Sequence, residues 1–158
     1  MDLGKNLEES ESFGEIFSLV KKAVDQSLER RRDGLMIALQ YLPESLGAYY
    51  GLGSNFIVMN KALLEKFRDS HSAAETKAYI FSVLLHEYLH SLGYVDERFA
   101  RELTYQVSKA VLGEGHMSTR IAKHGIGAFI TPSGSAREEP EGIEVVDSFS
   151  IEHITYIG

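Results

Sequence analysis

The chain has 158 residues, of which 44% are hydrophobic and 25% charged, and its formal net charge is −7. This is the make-up of one ordinary globular domain; it argues against a disordered chain and excludes a pair of independent domains. Cysteine is absent, which excludes a disulfide framework, a thiolate metal site and a cysteine nucleophile, and points to a reducing cytoplasm.

An acidic chain repels phosphate backbones, so nucleic acid is not an expected partner. The opening run M-D-L-G-K-N-L-E-E-S has neither the basic start nor the apolar core of a secretory signal. No apolar run approaches the roughly 18 residues that a membrane span needs, so no membrane association is expected.

No internal repeat is found. Phe13, Ile16, Phe17, Val20, Val24 and Leu28 recur at helical spacing, which predicts a helix over about 13–32. Ser12 and Glu15 make a capping-box signature, Arg30–Arg32 would close the helix against its negative end, and Gly34 would terminate it. The short apolar run 35–42 ends at Pro43 and reads as a buried strand. The glycine-broken run 46–54 reads as a weaker strand, Phe56–Asn60 as a third, and Lys61–Arg68 as a turn or two of helix.

Ser72 and Glu75 form a second capping box, which opens a long helix to about Leu92, with Gly93 at the expected left-handed stop. That helix is apolar on nearly every side, so it should lie inside the domain. A further helix is expected from Glu97 to Leu112, between an Asp96 N-cap and Gly113, and a short one from Ser118 to His124 before Gly125. Residues 132–142 read as a mobile linker, and 143–157 alternate well enough for one or two strands. The expected fold class is α+β: a domain over 1–131, then a linker and extended tail over 132–158.

The chemical signal is His86-Glu87-Tyr88-Leu89-His90, an H-E-x-x-H motif. Residues four apart stack one turn apart on one helix face, so two imidazoles can reach one metal ion. The intervening glutamate sits beside them, placed to take a proton from a metal-activated water. Burying two histidines and a glutamate in an apolar helix without such a role would be costly.

The run H-E-Y-L-H-S-L-G-Y-V-D, residues 86–96, resembles the zinc-binding segment of zincin metallopeptidases in its metzincin form, H-E-x-x-H-x-x-G-x-x-H. Gly93 matches the glycine at which that chain leaves the helix, and Asp96 falls where the third ligand belongs. The resemblance implies a zinc-dependent peptidase acting on a peptide or protein. His86, His90 and Asp96 would hold Zn2+, with Glu87 as general base. It also implies an extended substrate paired with a strand, for which Phe56–Asn60 is the candidate. The order of a helix, strands and then the active-site helix, over 13–96, fits the same family.

The third ligand has alternatives. Asp96 is also a natural N-cap, and Glu102, His116 and His124 are further candidates. No methionine turn is legible, Met117 being the one methionine after the motif. The segment also resembles the H-x-x-x-H-x-x-G-Y-D-H stretch of a bacterial metal-dependent endoribonuclease family of ribosomal RNA maturation. Glu87, the aspartate at 96 and the lack of that family's upstream Ser-Phe-Pro run argue against it.

A non-catalytic zinc-stabilised binding module is the remaining alternative, recognisable by a closed four-ligand site. Tyr49, Tyr50, Tyr94 and Tyr105 could each supply a phenol to an oxyanion, Tyr94 foremost, but core or interface roles are commoner for tyrosine. Gly51-x-Gly53 reads as a turn or bulge and not a nucleotide loop.

Overall fold

In a computed structural model, residues 2–130 and 144–145 are described. Among these residues, six α-helices and a small mixed sheet make an α+β fold. The helices are α1 (Leu3–Glu9), α2 (Phe13–Leu28), α3 (Lys61–Ser70), α4 (Ala73–Ser91), α5 (Glu97–Leu112) and α6 (Met117–His124). The strands are β1 (Met36–Gln40), β2 (Ala48–Tyr50), β3 (Phe56–Asn60) and β4 (Glu144–Val145). No helix among the described residues is long and apolar enough to cross a membrane. The expected linker 132–142 and the tail beyond Val145 lie outside the described residues.

The core is built around α4. Tyr79, Ile80, Phe81, Leu84, Leu85, Tyr88 and Leu89 are all fully buried, against α2 and β3 residues such as Phe13, Ile16, Val20, Ile57 and Met59. Each such side chain stabilises the fold by about 1.5–3 kcal/mol relative to exposure. The reciprocal capping box at Ser72 and Glu75 forms as expected, and Gly93, at φ 106°, turns the chain out of the helix.

In the sheet the strand order is β2-β3-β1-β4. β3 runs parallel to β1 (Met36 opposite Phe56) and antiparallel to β2 (Tyr50 opposite Ile57). β4 adds antiparallel to β1, so part of the tail docks on that edge. The β2–β3 connection is a tight turn, closed by Ser54 N–H on the Gly51 carbonyl, with Gly53 at φ 81°. β3 is thus central. Phe56–Asn60 is paired on both sides and cannot accept a substrate strand; among the described residues the outer strands are β2 and β4.

Asn60, fully buried, ties down the segment that enters β2. Its Oδ1 accepts the Leu42 and Ala62 N–H groups at 3.0 Å, and its Nδ2 lies 2.8–3.1 Å from the carbonyls of Leu42, Pro43 and Leu46.

The arginine run does not close α2. That helix stops at Leu28, and Glu29 takes a left-handed conformation at φ 54°. Arg30 and Arg32 instead reach the far end of α4. Arg30 Nη2 donates to the Leu92 carbonyl at 2.6 Å and Arg32 Nη1 to the Ser91 carbonyl at 2.7 Å. These carbonyls lack partners within their helix, and a guanidinium supplies both hydrogen bonds and the charge that suits a helix C-terminus. Arg32 also bonds the Tyr50 hydroxyl at 2.9 Å and the Ser54 carbonyl at 3.2 Å, so one side chain joins α4 to the β2–β3 hairpin.

Candidate metal centre

The helical spacing of His86 and His90 brings their rings to 4.8 Å between centroids on one face of α4. The chain then turns at Gly93 and starts α5, whose first residue points back at the two rings. That residue is Glu97. Its Oε1 lies 2.9 Å from His86 Nε2 and 2.8 Å from His90 Nε2. Among the described residues these three supply ligand atoms that all fall within 4.8 Å of one another.

Asp96 is not one of the group. Its carboxylate accepts the Arg98 N–H at 3.1 Å and serves as the N-cap of α5. The acid that joins the two histidines is therefore one position beyond the Asp96 expected there. A residue that caps a helix turns its side chain onto the first-turn N–H groups. The next residue, on the first turn, projects to the side, here toward α4. The sequence carried that signal in the H-E-x-x-H helix, the turn at Gly93 and a capped helix start whose first residue is an acid.

Two of the other ligand candidates, Glu102 and His116, are occupied elsewhere. Glu102 accepts from Gln106 on the exposed face of α5. His116 caps α6, its Nδ1 accepting the Ser118 N–H at 3.1 Å. The Tyr94 hydroxyl faces Arg30 and Tyr105 faces Glu114, while Tyr50 is engaged by Arg32 and Ser54. Met117 opens α6 and takes no part in the site. His124 borders the same cleft as His86 and Glu87 but is outside the group of three.

The three groups fit a divalent ion. His90 Nδ1 lies 2.7 Å from the Tyr94 carbonyl, so that nitrogen carries the proton and a neutral ring offers its Nε2 lone pair to the cluster. Two ring nitrogens facing one carboxylate oxygen need a proton or a cation between them. In a tetrahedral site with metal–ligand distances of about 2.0 Å, ligand atoms stand about 3.3 Å apart. The 2.8–2.9 Å contacts would open by a few tenths of an ångström, and the two ring nitrogens, which with the carboxylate oxygen lie within 4.8 Å of one another, would draw together by small side-chain rotations. Burial lowers the pKa of His86 and favours its neutral, ligating form, although its hydrogen bond to Glu97 opposes this. Burial raises the pKa of Glu97, but its interactions with the two imidazoles outweigh it and hold Glu97 below the ordinary range.

Glu87 is one position along α4 and only 7% exposed. Burial pushes its carboxyl up to about 7; attraction to His90 opposes this, Glu97 adds to it, and a hydrogen bond from the Tyr50 backbone N–H on β2 lowers it. A carboxyl balanced near neutrality is suited to taking and returning a proton. His86, Glu87 and Glu97 line a cleft of about 330 Å³, whose opposite walls are the segment 45–48 and the end of α6 with Gly125 and Ile126. No protein-family model, curated protein or solved structure matches this chain.

Proposed function

We propose that this protein is a zinc-dependent peptide hydrolase of zincin type, working in the cytoplasm, in which His86, His90 and Glu97 hold the ion. The observation that carries this reading is the convergence of two Nε2 atoms and one carboxylate oxygen beside a buried glutamate at a cleft. Three protein ligands, with no fourth among the described residues, is the count of a site that keeps a position open; this favours an enzyme over a closed structural zinc module. When bound, zinc supplies Lewis acidity and makes water a nucleophile at neutral pH.

The chain's own groups then have distinct tasks. Glu87 accepts the proton of the attacking water on its carboxylate and returns it to the nitrogen of the leaving amine. A nearby dication favours the ionised, proton-accepting form of Glu87 over the neutral one that burial alone promotes. The Tyr94 carbonyl holds His90 in the tautomer that exposes its Nε2. An extended peptide would pair along the outer edge of β2, which meets no other strand among the described residues, next to the Tyr50 N–H that contacts Glu87.

The test is substitution with a metal readout alongside activity. Glu87→Ala should retain one zinc per chain and lose peptide hydrolysis by about 10²–10⁴-fold, whereas His86→Ala should lose the zinc. Full turnover by Glu87→Ala would refute the mechanism.

A further inference from the structure

Arg101 stands one turn beyond Glu97 on α5 and borders the cleft. Its Nη2 lies 3.6 Å from Glu97 Oε2, an ion contact longer than a hydrogen bond, and its side chain is 64% exposed. Among the described residues it makes no hydrogen bond, so its five N–H donors remain free for a ligand. Glu97 turns Oε1 toward the histidines and Oε2 toward Arg101. Once Oε1 gives its charge to a cation, the hold of Glu97 on the guanidinium weakens.

Two carboxylates, Glu87 and Glu97, and two fixed cations, Arg101 and Lys123, line the cleft. The Lys123 ammonium rests 5.8 Å from the Tyr105 ring, which leaves Arg101 as the cation in contact with the site. A bound dication makes this lining net positive, in a chain whose overall formal charge is −7. The local field therefore runs opposite to that of the molecule and draws anions to the cleft. A guanidinium presents the planar fork that matches a carboxylate.

We propose that Arg101 recognises a carboxylate of the substrate, held in the cleft beside the metal centre, and so sets a preference for peptides that place a carboxylate there. The proposal rests on reading the site as a peptide hydrolase. The carboxylate has two possible sources, a chain-terminal α-carboxylate or an acidic side chain.

The experiment titrates the full chain, in excess zinc, with three single-residue probes followed by NMR. N-acetylglutamine amide has no carboxylate, N-acetylglutamine has the α-carboxylate, and the α-amide of N-acetylglutamate has only the side-chain carboxylate. At least one acidic probe should bind tenfold or more tighter than the neutral one, in line with a charge-assisted bidentate pair, and the better acid identifies the source. Arg101→Met and Arg101→Glu should both abolish that advantage; the exposure of the side chain leaves the fold indifferent to either.

Equal binding of all three probes overturns the proposal. So does an advantage that survives in Arg101→Met, which would place the carboxylate on the metal itself. Peptide cleavage is read separately. Discrimination without cleavage would refute the hydrolase and keep the carboxylate site, while cleavage without discrimination would do the reverse.

Discussion

Replacing Asp96 and Glu97 one at a time separates two tasks that meet at the start of α5. Asp96→Ala removes a cap, so it should cost about 1 kcal/mol of stability and leave zinc affinity within twofold of the parent. Glu97→Ala removes a ligand atom from a set of three. It should weaken zinc by more than the roughly 10–100-fold that loss of a ligand's supporting partner costs. Competition with a chelator measures the affinity and urea denaturation the stability. The reverse pattern would restore Asp96 as the ligand. His86, Glu87 and His90 were legible in the sequence because their relation is purely helical, set by a spacing of four. The third member of the group was less so. Its position depends on how the chain leaves the turn after Gly93, and neighbouring acids face different ways at a helix start.

Individual elements carry their own tests. His116 caps α6 through an unprotonated Nδ1, and burial lowers its pKa although Glu8 opposes this. The folded form therefore binds the proton less readily than the unfolded chain. The cap contributes fully above the unfolded value of about 6.5, and its stabilisation is lost as pH falls below that. His116→Asn keeps a capping oxygen without titrating, so the variant should lose less stability between pH 7.5 and 5.5 than the parent. Urea denaturation at the two pH values measures this, and equal losses would show that the cap does not titrate.

Arg32 makes a second case, since it joins the α4 terminus to the β2–β3 hairpin. Arg32→Met should destabilise by about 1–3 kcal/mol, the usual cost of leaving buried acceptors unpaired. A loss below about 0.5 kcal/mol, the scale of an ordinary surface change, would mean that solvent replaces it. A capping box for α4, an N-cap aspartate for α5 and glycine stops made α4, α5 and α6 readable in advance because those signals are local. α1 was missed: its Leu3 and Leu7 gain meaning only once packed into the core. The arginine run and the central place of β3 escaped for the same reason, because both are settled by contacts between elements distant in sequence.

At the scale of the whole molecule, the metal and the fold should be coupled. The three grouped side chains come from two helices, α4 and α5, linked by one turn. An ion bound only by the folded chain stabilises it by about 2.7 kcal/mol at a hundred times Kd. For a chain of this length that raises Tm by roughly 5–10 °C. Calorimetry with and without zinc should find this shift, and Glu97→Ala at the same zinc concentration should lose most of it. The α+β class followed from element order alone, whereas the cleft could not, because its walls are drawn from the segment 45–48, α4, α5 and the end of α6.

The most direct measurement is anomalous diffraction at the zinc edge from crystals of the full chain grown with one equivalent of zinc. The account predicts one ion per chain, with the Nε2 atoms of His86 and His90 and an oxygen of Glu97 each at about 2.0–2.2 Å. An ion seated on other residues, or imidazoles still bonded only to Glu97 at saturating zinc, would contradict it.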